Sequence, residues 1–273
     1  MSTVAVRGIS LFTRVMGQGD PLLLMHGGPG ADHTVLLCLK ALAATHTLIF
    51  YDHRCNGRSV GPDVSTMTWD HLAADADALR QHFGFERWAV LGHSFGGMVA
   101  LEYALRYPDR LTHLILADTC ADTWWVQHHA PELLAKRGYP PRAVESARRA
   151  FNGQATPWQI RLGLLRFGRA YTYKLTLLGL VRLLRVKQRL DAAIFGFGHL
   201  LPGWNVLDRL PEIQVPTLVL AGRHDFEFPP EHQAIMADRL PNARLEIIER
   251  AGHNAPQERP AEVVAALERF LSS

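Results

Sequence analysis

Short, almost wholly apolar runs set between helical patterns constrain this chain most. PLLLMH (21–26), HTLIFYD (46–52), WAVLGH (88–93) and THLILAD (112–118) have too few polar positions to alternate. Strands read this way when both faces of their sheet are covered, as in parallel sheets. Between them, 34–44, 69–83 and 95–107 show helical periodicity; in the second, Leu72, Asp75, Ala76 and Leu79 form a mixed amphipathic face. The third ends at Tyr107-Pro108, because proline disfavours helix in the residue before it. VAVRG and SLFTRVM predict an opening hairpin around Gly8. Alternation resumes with strand 216–222, helix 230–240, strand 243–249 and helix 260–271. The pattern predicts an α/β fold, a mostly parallel sheet flanked by helices.

The stretch 121–205 breaks the alternation and is rich in Leu, Arg and aromatics. It predicts a helical cap inserted into a core made of 1–120 and 206–273. Its charge also differs. The cap has 13 Lys and Arg against 4 Asp and Glu, a balance of +9, within a chain whose net charge is +3. No acidic residue occurs from Ser146 to Leu190.

Hydrophobic content of 48% suits a globular protein with a sizeable core. No apolar run approaches the ~18 residues of a membrane span, and MSTVAVRG lacks the basic and apolar parts of a signal peptide. Cys38, Cys55 and Cys120 have no metal-type spacing and read as free thiols, which points to the cytoplasm.

Gly92-His93-Ser94-Phe95-Gly96 sits between a predicted strand and a predicted helix. A strand that turns sharply into a helix strains its turn residue, and flanking glycines leave room where side chains would collide. The hydroxyl is then presented above a helix N-terminus, where developing negative charge is favoured. Glycine is common enough to produce this spacing by accident in roughly one such chain in ten or twenty; the strand and helix around it lower that figure.

Serine needs a base, and the base needs an orienting carboxylate. Gly222-Arg223-His224-Asp225 follows strand 216–222, and Ala251-Gly252-His253-Asn254 follows strand 243–249. In a parallel sheet both loops open on the edge that carries Ser94. Asp225 would then hold the His253 imidazole, His253 would take the Ser94 proton, and the acyl group would pass to Ser94 and on to water. Asp118, at the end of strand 112–118, is a competing carboxylate whose bland role is a cap or loop residue. Glu227 lies near Asp225 but off the strand end. An oxyanion site would use the Phe95 amide and one from His26-Gly27-Gly28-Pro29-Gly30, with Gly28 preferred over Gly27; each such donor is worth about 3 kcal/mol. His26 could equally just brace that loop. The set requires no cofactor and no metal.

HGGPG (26–30), YDHRCNGRS (51–59), GHSFGG (92–97), GRHD (222–225) and AGHNAPQERP (251–260) together resemble the α/β-hydrolase superfamily, and within it the prolyl iminopeptidase-like serine hydrolases. The resemblance covers nearly all of the chain outside the cap. It implies an eight-stranded, mostly parallel sheet, a Ser94–His253–Asp225 triad with Gly28 and Phe95 at the oxyanion site, and hydrolysis of an N-terminal prolyl bond, an ester, a lactone or an amide. Cys55 replaces a usual glycine, which implies a slightly altered turn. Two departures stand out more. The elbow reads GHSFG where the relatives have GGSWG. Iminopeptidases also bind a protonated amine with carboxylates largely from the cap, and this cap has only Asp122, Glu132, Glu145 and Asp191 among its basic residues. A cation meets an unfavourable field there, so a neutral or anionic small-molecule acyl substrate is expected. A cofactor-free perhydrolase, a carbon–carbon hydrolase and a non-catalytic receptor on the same scaffold are the alternatives.

Trp124 and Trp125 follow strand 112–118, where they could wall an apolar pocket or pack cap on core. In 174–190, Leu177, Val181 and Leu184 form one helical stripe and Arg182, Arg185 and Arg189 another. The expectation is a cap helix with its apolar face on the core; the basic face would permit weak contact with an anionic surface, without stable membrane insertion. No nucleic-acid motif accompanies the charge, so no nucleic-acid partner is expected.

Overall fold

The computed structural model describes residues 2–272, apart from four leucine side chains between 164 and 183. Eight strands form one sheet: β1 (Ser2–Val6), β2 (Ile9–Met16), β3 (Asp20–Met25), β4 (His46–Tyr51), β5 (Trp88–His93), β6 (Leu111–Ala117), β7 (Thr217–Gly222) and β8 (Ala243–Ile248). Their order is β1-β2-β4-β3-β5-β6-β7-β8. The β1–β2 and β2–β4 pairs are antiparallel, and every other pair is parallel.

Period-two geometry explains why the runs look uniformly apolar. Leu23, Met25, Ile49, Tyr51, Val90, Leu116 and Val219 face one side, packed with Leu72, Leu79 and Met98. Leu22, Leu24, Leu48, Phe50, Leu91, Ile115 and Leu220 face the other, packed with Leu36, Leu39, Val263 and Leu267. Both faces are covered, so neither side of a strand can be polar. The first face is covered by α1 (Trp69–His82) and α2 (Phe95–Arg106).

Between β6 and β7 all the regular elements are helical: α3 (Trp124–Lys136), α4 (Pro141–Phe151), α5 (Pro157–Phe167), α6 (Leu177–Leu184) and α7 (Leu190–Phe195), with short irregular turns. An isolated bridge, Asp122 to Asn205, closes the neck of this insertion. The chain then adds α8 (Pro230–Arg239), α9 (Ala255–Glu258) and α10 (Pro260–Leu271).

Two expectations are amended. The helix read over 34–44 is present, as a 3-10 helix over His33–Ala44. Its buried residues His33, Leu36, Leu39 and Leu42 recur every third position, and side chains three apart eclipse in a 3-10 helix. The second correction concerns 174–190. Its helix ends at Leu184, and Leu177 and Leu184 are 79% and 78% exposed, so that stripe faces solvent. Arg182 turns inward and donates to the Gln257 carbonyl at 2.8 Å. That carbonyl lies near the C-terminus of α9, where unpaired carbonyl groups favour a cation.

The strand order reverses between β3 and β5: the chain passes from β3 to β4 on one side, then returns to β5 on the other. Ligands in open α/β sheets bind outside the carboxyl ends of strands at such a reversal. Met25 pairs with Gly92, so the His26–Gly30 loop and the Ser94 turn leave the sheet side by side. Leu23 sits at the centre of β3 with no solvent exposure. Replacing it with Ala is expected to destabilise the fold by about 2–5 kcal/mol, measured by urea denaturation.

Candidate active site

Ser94 occupies φ 52, ψ −122, a left-handed turn residue between β5 and α2. The turn is clamped from three sides. The Ser94 amide donates to Ala117 O at 3.0 Å, and its carbonyl accepts from Gly97 N at 2.8 Å and Thr119 Oγ1 at 2.7 Å. A methyl group on Gly96 would run into the Met25 and His26 carbonyls. Glycine there lets α2 begin against the end of β3.

The imidazole of His253 lies between the serine and a carboxylate. Its Nε2 is 2.9 Å from Ser94 Oγ, and its Nδ1 is 2.9 Å from Asp225 Oδ2. The other oxygen of Asp225 accepts from the amides of Glu227 at 2.8 Å and Phe228 at 3.1 Å, which fixes the carboxylate plane. All three side chains are buried. The competing carboxylate, Asp118, does something else. It accepts from Gly222 N at 2.8 Å and Ala255 N at 2.9 Å, and so ties the end of β7 to the start of α9, on either side of His253. Burial, with the charge of Asp225 nearby, pushes the Asp118 carboxyl well up.

The remaining expected residues separate into two groups. A methyl on Gly27 would stand 3.0 Å from Ser94 Cβ and 2.6 Å from His93 Nδ1, so that loop's backbone lies directly against the serine. Among the described residues, neither the Phe95, the Gly27 nor the Gly28 amide donates to a protein group. Trp125 stacks on His232 with ring centroids 4.8 Å apart, and Phe228 contacts both His232 (6.2 Å) and His253 (5.6 Å). Two rings, His232 and Phe228, thus stand between Trp125 and His253. Trp124 is 57% exposed and stacks on His128, so it does not border Ser94.

His26 braces its loop: its Nε2 accepts from His53 N at 3.1 Å while Nδ1 meets Gly27 O at 3.0 Å. Burial lowers its pKa, so the ring is neutral. Cys55, where the resemblance implies glycine, has φ 60 and keeps the left-handed turn with a buried side chain. Burial raises all three thiols, Cys38 to about 12, which leaves them unreactive. Asp32, His33 and Asp52 bring three ligand-type atoms within 4.8 Å. Arg58 and the amides of His33 and Arg58 already engage the carboxylates, so the trio acts as loop bracing.

Two residues of the site are not evident from strand-end placement. His93 carries the departure from the relatives' elbow, and its Nε2 meets the His253 carbonyl at 2.9 Å. Burial lowers His93 to about 4, so the ring is neutral and Nε2–H donates. It anchors the loop that carries the base. Glu227 is the second. Its Oε2 lies 3.4 Å from His253 Nε2 and has no hydrogen-bond partner among the described residues. Burial, aided by the Asp225 charge, raises this carboxyl to about 7. Burial alone would lower His253, but the charges of Asp225 and Glu227 outweigh it and raise the ring to about 10.

Residues of the insertion reach this edge. Tyr171 packs its ring 5.4 Å from that of His253, and its backbone carbonyl accepts from Asn254 Nδ2 at 3.3 Å. Arg189 N donates to Gly30 O at 2.8 Å. Among the described residues, no helix is long and apolar enough to cross a membrane.

Asp225→Asn is expected to lower kcat by about 10⁴-fold, because the amide favours the wrong imidazole tautomer. Asp118→Asn should cost less activity and show mainly as a lower unfolding midpoint. Steady-state kinetics beside thermal unfolding separates the two.

Comparison with known proteins identifies the family. Residues 20–260 match the family described as alpha/beta hydrolase fold. A proline iminopeptidase of Heyndrickxia coagulans is 27% identical over 94% of this chain and 92% of its own length. One from Lactobacillus delbrueckii subsp. bulgaricus is 30% identical over 89% and 87%. Among solved structures, proline iminopeptidase of Mycobacterium smegmatis superposes with a TM-score of 0.81 at 26% identity, covering 99% of this chain and 97% of that one. A thermophilic esterase of Thermogutta terrifontis gives 0.72 at 29% identity, covering 99% and 96%. The chain belongs to the α/β-hydrolase fold family and is a serine hydrolase similar to the prolyl iminopeptidases.

Proposed function

We propose that this enzyme hydrolyses a carboxylic ester, a lactone or an apolar amide through an acyl-enzyme on Ser94. The observation that carries the reading is the unbroken chain from Ser94 Oγ to His253 Nε2 and from His253 Nδ1 to Asp225 Oδ2, each link 2.9 Å. His253 Nε2 takes the hydroxyl proton as Oγ attacks the acyl carbon, and the Asp225 carboxylate holds the imidazolium that forms. The oxyanion meets the amides of Phe95 and of Gly28 or Gly27. The imidazolium then protonates the leaving group. Water attacks the ester on Ser94 in the second half, with the same base. In this reading, 121–205 is a cap over the site, and Trp125, not Trp124, belongs to its inner wall.

The acid-free stretch 146–190 supports a neutral or anionic substrate. Glu227 supports a second reading, an aminoacyl ester or amide. Its partnerless carboxyl oxygen beside the base could receive a protonated amine, and the relatives named proline iminopeptidase agree with such chemistry. Turnover of neutral p-nitrophenyl esters and of proline naphthylamide distinguishes them. A large preference for the naphthylamide favours the aminoacyl reading and defeats the first. For both, a fluorophosphonate should label the wild type and leave Ser94→Ala unlabelled; a folded wild type that does not label would favour a receptor.

A further inference from the structure

We infer that Glu227 is a positioning residue for the base: its carboxylate competes with Ser94 for the Nε2–H of His253 and so sets the pH at which the serine becomes reactive. The inference rests on Ser94 as nucleophile and His253 as its base. Two carboxylates contact opposite ends of one imidazole, Asp225 at Nδ1 (2.9 Å) and Glu227 at Nε2 (3.4 Å). Only the first is needed to orient the ring. The second faces the nitrogen that must lose its proton before it can accept one from Ser94.

The surroundings leave Glu227 few other partners. From the insertion, Tyr171 faces it, and the polarity of its hydroxyl favours the anion. From the end of β6, Cys120 faces it, its thiol kept protonated by burial and by nearby carboxylates. From its own loop Asp225 repels it, and His253 attracts it. Around His253 stand Asp225, Glu227 and the more distant Asp118, all favouring the imidazolium, with neutral His93 on its backbone carbonyl. Arg137 reaches the Asp225 backbone carbonyl, at 3.3 Å. Glu227 Oε2 has no donor of its own among the described residues, so its interaction is with the base.

The sign follows from the charges. With Glu227 ionised, a proton on Nε2 is stabilised, and the free base appears only at higher pH. Removing that negative charge lowers the His253 pKa. The acid limb of reactivity then moves down, by about 1–3 units for a charge this close, while the weaker base reacts more slowly on the high-pH plateau.

The test is the rate of Ser94 labelling by a fluorophosphonate from about pH 5 to about pH 11.5, far enough to follow a base that titrates near 10 onto its plateau. It compares wild type, Glu227→Gln and Glu227→Asp, with Glu227→Met as a second neutral variant if the amide does not fold. The neutral variant should label faster than wild type on the acid side and more slowly at the plateau, so the two profiles cross. Glu227→Asp, which keeps the charge, should stay near the wild-type limb. A neutral variant that folds, yet whose profile superimposes on wild type or moves to higher pH, overturns the inference. Ser94→Ala is the separate control: if it still labels, the nucleophile reading has failed.

Discussion

Parallel pairing of β5 with β3 on one side and β6 on the other places Ser94, and the rest of the site is arranged around it. Ser94 takes a positive φ that its side chain does not favour, at a cost of order 1–3 kcal/mol. The turn persists because Ala117, Gly97 and Thr119 hold its amide and carbonyl. Gly96 lets the strand and helix close where a methyl group would meet two β3-side carbonyls. The strain is held by the sheet, so the hydroxyl stands at the strand reversal without depending on a flexible loop.

His253 and Asp225 come from loops 28 residues apart in sequence, and Asp118 brings those loops into register. Each of its oxygens accepts one amide, from the end of β7 and from the start of α9. His93 adds a third tie, from the elbow to the His253 carbonyl. These ties also explain why a buried carboxyl that contacts neither Ser94 nor the imidazole edge sits so close to the chemistry. An unpaired buried amide costs about 1–3 kcal/mol, so removing Asp118 would release both loops together.

Much of this is legible from residues in order. Apolar runs too uniform for a half-exposed strand specify the two-sided sheet, and Gly92, Ser94 and Gly96 mark the elbow between strand and helix. Asp225 and His253 follow because strand ends in a parallel sheet share one edge. What escapes sequence is whatever depends on three-dimensional facing. Leu36, Leu39 and Leu42 fit an α-helical pattern loosely and a three-residue repeat better. Leu177, Val181 and Leu184 form a stripe whose direction periodicity cannot assign, and Arg182 finds a carbonyl on the core instead. Trp124 and Trp125 are neighbours in sequence and face opposite surroundings, solvent and His232. Glu227 is visible as a carboxylate near Asp225, but its position across the ring from it is not. The His93 replacement in the elbow was the one local signal of an additional tie.

The charge count of the insertion shows why distance matters more than totals. A balance of +9 over 121–205 suggests a field hostile to cations. Among the described residues three of those side chains are paired with a carboxylate, Arg148 and Arg149 with Glu145 and Arg189 with Asp191; many of the others stand in solvent. Charges in solvent are screened over about 8–10 Å at physiological salt. At 4 Å a pair of unit charges interacts by about 1 kcal/mol in water and about 4 kcal/mol at an effective dielectric near 20. Asp225 and Glu227 act on His253 at 2.9 and 3.4 Å inside the protein. The charges nearest His253 are therefore the two buried carboxylates, although the insertion as a whole is basic.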